Sequence, residues 1–355
     1  MSGLFEGYEI LAPPFRPDDG RELARELFGV EGEPIELGSH QDRNFRITAP
    51  DGRRSVLKIA NPHFGLGSLE MQNAAMMHAA AAGLPFQTPR PLPALDGSLI
   101  VAVDRGGETY HVRLVSYIEG WPLTEAGHLT GGVRAALGGM AAGIAGAFAD
   151  FDHAAADRVL QWDVRHARAV VDGLLGHVRD PAKRALVDRA MAVHDDAIER
   201  LAEQLRRQVI HGDVTDYNVI GRHDRSGGLV PHGLIDFGDM TRSYLVGEVA
   251  VLATAAISHD RGQALEVLVD IAAAFHARLP LSEAELAALF PLVLGRAALS
   301  AVSTEQQAAL EPGNPYAVGL LESDWGALAA VAELPAELAE SSLRAACGLE
   351  RRGGG

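Results

Sequence analysis

Between residues 34 and 118 the chain sets short runs of apolar and β-branched residues between turn formers. The runs "PIELG" (34–38), "NFRIT" (44–48), "SVLKIA" (55–60), "SLIVAV" (98–103) and "TYHVRLVSYI" (109–118) are each bounded by Gly, Pro or Asp and predict five strands. One Ala- and Met-rich stretch interrupts them: "GSLEMQNAAMMHAAAAG" (67–83), closed by Gly83, predicts a helix after the third strand. From about 122 to 347 the apolar spacing becomes helical, over 130–151, 162–178, 181–206, 244–257, 261–278, 282–311 and 335–346. Breakers such as "RDP", "RLPLS" and "EPGNP" separate these helices. The exception is 208–237, where "QVIHGD", "YNVIG" and "HGLIDFGD" predict very short strands around polar loops. No internal repeat is visible.

This pattern predicts an α+β, bilobal fold, with a small β-rich N-lobe carrying one helix and a large, mainly helical C-lobe. The expected divisions are an N-terminal extension (1–33), the N-lobe (34–119), the C-lobe (120–347) and a tail or linker (348–355) ending "ERRGGG".

Composition narrows the partners. The formal charge of −16 argues against nucleic acid or an anionic membrane as the main partner and suits an amine-bearing ligand. The single cysteine, Cys347, excludes an intramolecular disulfide and a cysteine-rich zinc site, and a cytoplasmic location is expected. "MSGLFEGYEILAPPF" lacks the basic and apolar regions of a secretory signal. The Gly/Ala-rich stretch 135–151 reads as a buried helix rather than a membrane span.

The chemistry concentrates in "VIHGDVTDYNVI" (209–220) and "LIDFGD" (234–239). Asp213 and Asn218 share one loop, and Asp236 follows after a short apolar run. A carboxylate that takes a proton from a hydroxyl must be held beside it, and a hard cation such as Mg²⁺ needs oxygen ligands. Taken alone, His-Gly-Asp is usually a turn, and Asp-Phe-Gly recurs by chance. In this order and spacing the two match the H-x-D-x4-N and D-F-G arrangement of kinase-fold phosphotransferases. A metal-hydrolase reading of His211 and Asp213 would need further histidine clusters, and the remaining histidines are scattered singly.

The N-lobe provides an independent check. Lys58 lies in the third strand, where kinase folds need a lysine for the nucleotide phosphates, and Glu70 is the only carboxylate in the next helix. The bland readings are an edge-strand lysine and an exposed helix glutamate. The turn "ELGSHQDRNFRI" has Gly38 but no G-x-G-x-x-G; Ser39, His40, Gln41 and Asn44 can present donors to phosphate oxygens.

Together these residues resemble the aminoglycoside phosphotransferase-like kinase family, which also contains choline, homoserine and hydroxylysine kinases. The likeness runs from about Pro34 to about Trp325. The stretches "ELGSHQDRNFRI", "VLKIAN", "FDHAAADRVLQWDVRHA", "IHGDVTDYNVI" and "LIDFGDMTRSYLVGEVAV" look most like the hydroxylysine kinase branch. The resemblance implies Asp213 as general base, Asn218 and Asp236 as Mg²⁺ ligands, and Lys58 on the α/β-phosphates with Glu70 as its ion-pair partner. It further implies that "SYIEG" (116–120), with Tyr117 and Ile118, is the hinge that reads the purine. Some relatives are fused to or paired with a pyridoxal-phosphate enzyme, and the glycine-rich end would suit a module of such a larger chain. Two departures stand out: Gly212 precedes the catalytic Asp, and no Ala-Pro-Glu follows Asp236, so activation by loop phosphorylation is not expected.

The expected reaction is transfer of the γ-phosphoryl group of ATP or GTP, with Mg²⁺, to the hydroxyl of a small amino alcohol or hydroxy amino acid. Alternatives are an aminoglycoside O-phosphotransferase and, from another class, a nucleotide-binding pseudokinase or regulatory module; retention of Lys58, Asp213, Asn218 and Asp236 together argues against the last. Acceptor candidates are Asp216, Tyr217, Asp239 and Arg296, then Asn314, Tyr316 and Trp325, with a core or ion-pair role as the bland reading of each. His211 is expected to brace the loop, and Glu248 to cap a helix start or brace the loop.

Overall fold

The computed structural model describes residues 12–39, 41–225, 227–310 and 315–349, with backbone alone for 315–318. The chain opens with a helix, α1 (Pro17–Phe28), inside the segment that the sequence pattern sets aside as an extension. Its local signals are Pro17 at the first position, Asp18 and Asp19 in the first turn, and Gly29 left-handed at the end.

Strands β1 (Glu33–Leu37), β2 (Arg43–Thr48) and β3 (Arg54–Ala60) form an antiparallel meander, followed by α2 (Leu66–Ala81). The sheet is completed by a two-residue β4 (Pro91–Leu92), then β5 (Val101–Arg105) and β6 (Glu108–Ser116). Its order is β1-β2-β3-β6-β4, with β5 on β6. Strand alternation divides its faces. Phe45, Ile47, Leu57, Ile59, Val112 and Leu114 form one core with Phe15, Ala24 and Phe28 of the α1 segment. Asn44, Lys58 and Arg113 stand in one cross-strand row on the opposite face.

The C-lobe begins with β7 (Trp121–Pro122) and α3 (Gly131–Ala147), then α4 (Ala167–Leu174) and α5 (Pro181–Leu201). Four short strands follow: β8 (Arg207–Ile210), β9 (Val219–His223), β10 (Leu229–Leu234) and β11 (Thr241–Tyr244). Helices α6 (Leu245–His259), α7 (Ala264–Arg278), α8 (Glu283–Leu310), α9 (Pro315–Ala332) and α10 (Ala336–Ala346) complete it. Helix α9 is absent from the sequence pattern, because "EPGNP" ends α8 and then starts α9 with Pro315 at its first position.

One large core joins α3, α5, α6, α7 and α8. Helix α8 is long and apolar enough to cross a membrane, more so than the 135–151 stretch, but 94% of its apolar window is buried inside the protein. It is the central core helix.

Candidate active site

Strands β8 and β11 pair antiparallel, Ile210 opposite Thr241, and so clamp together the two ends of the segment that carries Asp213 and Asp236. Within it β9 and β10 form a hairpin. The polar loops project from this frame because Val209, Ile210, Val219, Ile220 and Leu234 are all buried.

The loop before Asp213 is held from beneath. Glu248, in the first turn of α6 and fully buried, accepts the N–H of His211 at 2.8 Å and that of Gly212 at 3.2 Å. Burial pushes the Glu248 pKa up to about 7, against the pull of those two N–H groups. His211 is fully buried edge-on to Phe237, with ring centroids 5.0 Å apart. Its Nδ1 accepts the Asp213 N–H at 3.3 Å, and burial pushes its pKa down to about 4. It is a neutral imidazole with the geometry of a brace. Gly212 has φ +76°, and a Cβ there would lie 2.8 Å from the Asp239 carbonyl oxygen. This packing admits no larger residue before Asp213.

Asn218 donates through Nδ2 to the Asp213 side chain, at 2.5 Å, and to its backbone carbonyl, at 3.1 Å. Burial, and then Asp239 beside it, hold the Asp213 carboxyl above the usual carboxylate range; Arg296 and Asn218 act against them. Asp236 has φ +58°, uncommon for a residue other than glycine, and its Oδ1 accepts the Gly238 N–H at 3.1 Å. Lys58 lies 3.6 Å from Asp236 and is the main reason its pKa is lowered. Arg158 binds the carbonyls of Gly238 and Met240 and reaches Ser68 of α2 at 2.9 Å, tying the Asp236 loop to the N-lobe.

The structure does not bring Glu70 to Lys58. Glu70 is exposed, and the α2 residues turned inward are Leu69, Met71, Gln72, Asn73, Ala75, Met76 and Ala79. Gln72 and Asn73 bind Arg113 on β6, next to Lys58. These two carboxamides and Arg113 have no motif in the sequence; the alternation of β3 and β6 about Lys58 was the available signal.

Other candidates occupy varied positions. Asn44 is buried in the Lys58 row, with an unpartnered side-chain oxygen. Gly38 and Ser39 are exposed in the turn, where Ser39 Oγ accepts the Asp42 N–H at 3.1 Å; His40 lies outside the described residues. The Tyr117 N–H reaches the Arg54 carbonyl at 3.4 Å, so this hinge amide is engaged with β3, while Ile118 is buried against Gly233. The Tyr117 ring lies beside the guanidinium groups of Arg46 and Arg54.

On the acceptor side, Asp216 is buried 3.5 Å from His259, whose pKa it raises, and Tyr217 is about half exposed. Arg296, on α8, donates to the Trp162 carbonyl and lies over the Trp162 ring. It also acts electrostatically on Asp213 and on Asp324 of α9, whose pKa burial pushes up to about 6. Asp324 is a candidate that sequence reasoning missed. Trp325 is a core anchor: it donates to Glu305 at 2.6 Å beneath Lys183. Asn314 and the Tyr316 side chain lie outside the described residues.

The residues present fit a hard divalent cation. Asn218 spends its amide nitrogen on Asp213, leaving a carboxamide oxygen, and Asp236 adds a half-exposed carboxylate. No group of three or more His, Cys, Asp or Glu that could hold a metal occurs among the described residues. A cation at Asn218 and Asp236 would complete its shell with phosphate and water oxygens.

Residues 31–289 match the model of the phosphotransferase enzyme family. The chain belongs to that family. This phosphotransferase is 26% identical over 322 residues to the hydroxylysine kinase of Mus musculus, covering 85% of each chain. Its fold resembles a microcompartment-associated aminopropanol kinase (TM-score 0.67, 18% identity), covering 93% of this chain and 98% of that one. It also resembles an amicoumacin kinase in complex with AMP-PNP and Ca²⁺ (TM-score 0.67, 14% identity), covering 88% and 93%. The fold is bilobal and protein kinase-like, and the protein is a small-molecule kinase.

Proposed function

We propose that this kinase moves the γ-phosphoryl group of ATP or GTP, with Mg²⁺, to the hydroxyl of a small amino alcohol or hydroxy amino acid. The observation that carries the reading is the carboxylate-rich surround of Asp213. Asp239 lies within electrostatic reach of Asp213, and Asp324 within reach of Asp216 and of Arg296, which itself acts on Asp213. Such a surround favours an acceptor that brings an ammonium group. The names of the relatives, hydroxylysine kinase and aminopropanol kinase, support the same class.

Asp213, held by Asn218 and by the braced backbone of His211 and Gly212, would take the proton as the acceptor oxygen attacks phosphorus. Lys58 would leave Asp236 for the nucleotide phosphates, and Asn218 with Asp236 would hold Mg²⁺. When bound there, the cation would supply charge neutralisation for phosphoryl transfer. Asp216 and Asp324 would face the acceptor ammonium. Arg296 is already bound to Trp162, so its role would be to hold Asp213 and Asp324 in place rather than to receive a free carboxylate. A pyridoxal-phosphate partner is no part of this reaction, and nothing in the relatives' names supports one.

The test is a phosphorylation screen of hydroxylysine, ethanolamine, aminopropanol, homoserine and an aminoglycoside, with Mg²⁺ and either nucleotide. Turnover of at least one of the first four is expected. Turnover of the aminoglycoside alone would put the antibiotic-kinase reading in its place. Nucleotide binding with no turnover would favour a regulatory module.

A further inference from the structure

Arg113 is among the largest fully buried side chains in the protein, 1% exposed, yet among the described residues no carboxylate is in ion-pair contact with it; Asp42 and Asp236 act on it only from farther off. Its partners are neutral: the Gln72 oxygen at 2.8 Å, the Asn73 oxygen at 3.2 Å and the Leu69 carbonyl at 3.4 Å, all on α2. Its Nε has no partner. A buried guanidinium with no carboxylate in contact is costly, and arginine does not escape the cost by losing its proton. A fold that needed only to attach α2 to the sheet would do so with apolar residues or a neutral pair.

The location gives the charge a use. Arg113 is the direct cross-strand partner of Lys58, which is itself opposite Asn44. Like charges facing each other across a ladder repel, so the Lys58 ammonium is driven away from Arg113 and is found 3.6 Å from Asp236. Asp42, whose carboxylate caps the Asn61 N–H at 3.0 Å, is the other acidic group in this field. Both carboxylates feel Lys58 and Arg113 together.

We propose that Arg113, clamped by the carboxamides of Gln72 and Asn73, is the positioning residue that takes the place of a helix carboxylate. It directs Lys58 by repulsion and adds a second positive charge beneath the nucleotide phosphates. The inference rests on the phosphotransfer reading of this site. Helix α2 then acts on Lys58 through a clamped cation rather than an ion pair. Glu70 can lie exposed without loss.

The experiment compares Gln72→Glu, Arg113→Lys and Arg113→Met with the parent protein. It reads the unfolding midpoint, the Kd of a non-hydrolysable ATP or GTP analogue with Mg²⁺, and the KM of nucleotide and acceptor separately. Glutamate at 72 would meet Arg113 where the amide oxygen already sits and cancel its charge without touching a phosphate contact. Gln72→Glu is expected to fold at least as stably and to bind nucleotide about tenfold more weakly, as loss of one charge at this range implies. The acceptor KM should stay at its parent value. Arg113→Met should show a similar or larger loss, and Arg113→Lys should recover most of it. A folded Gln72→Glu protein with parental nucleotide affinity overturns the proposal even if Arg113→Met fails to fold, because a purely structural Arg113 predicts that result. If the parent protein itself bound no nucleotide, the phosphotransfer reading would fall first; parental turnover with unchanged Gln72→Glu affinity would sink the Arg113 inference alone.

Discussion

Glu248 accepts two consecutive backbone N–H groups, those of His211 and Gly212, from the floor of the loop that carries Asp213. A single α6 carboxylate therefore sets the entry of the candidate base loop. Glu248→Ala would leave both donors buried and unmet, at roughly 2–5 kcal/mol of stability. The variant is expected to unfold earlier in denaturant and to lose turnover out of proportion to its loss of nucleotide affinity. Parental stability would show that the loop finds other acceptors.

Asp213→Asn keeps the shape and the contact with Asn218 but cannot take a proton. Turnover should fall by about 10²–10⁴-fold, the range for a positioned general base. The Kd of the nucleotide analogue should remain near that of the parent. Equal loss of both quantities would assign Asp213 to binding instead.

Lys58 and Glu70 should separate cleanly. Lys58→Ala is expected to raise the nucleotide KM and lower turnover, since it removes the cation beside Asp236. Glu70→Ala changes an exposed side chain and should leave stability within about 0.5 kcal/mol and kinetics unchanged. A strong kinetic defect in Glu70→Ala would mean that α2 turns this carboxylate inward when nucleotide binds.

Acid stability has an identifiable contributor in Glu285. Its side chain is fully buried and takes a paired contact from Arg206, at 2.6 and 2.8 Å, and the Ser282 N–H at 2.7 Å. Burial raises its pKa, but these three bonds outweigh it and the net shift is downward. A carboxyl with a lowered folded pKa binds fewer protons folded than unfolded. Its contribution is present above the unfolded carboxyl pKa of about 4.3 and is lost as pH falls through the folded value. Glu285→Gln should therefore be less stable than the parent at pH 7, by roughly 1–3 kcal/mol. The gap should close in acid; a gap that does not change with pH would refute the assignment.

Much of this site is legible in the order of residues. Lys58, Asp213, Asn218 and Asp236 lie on one strand and two loops whose apolar flanks announce themselves, and chemistry constrains their spacing. Glu70 misleads for a physical reason. Helix α2 is half Ala and Met and has few charged residues, so no polar stripe marks its solvent face, and it turns Gln72 and Asn73 inward against the usual preference. Arg113 hides in an alternating strand, where a polar residue reads as solvent-facing. Asp324 lies on α9, a helix masked in sequence by the breaker that both ends α8 and begins α9. The α1 helix, by contrast, carries plain end signals in Pro17, Asp18 and Asp19 at its start and Gly29 at its close.

The pairing of β8 with β11 makes residues 211–240 a cassette whose two mouths are stitched together. Distances inside it are set at the stitched end, near Asp213 and Asp236, and not at the far hairpin between β9 and β10, where His223 and Asp224 are exposed. The cassette can therefore grow or shrink at that outer turn while its working end keeps its dimensions. Natural length variation, or an engineered insertion such as a reporter peptide, belongs at that hairpin.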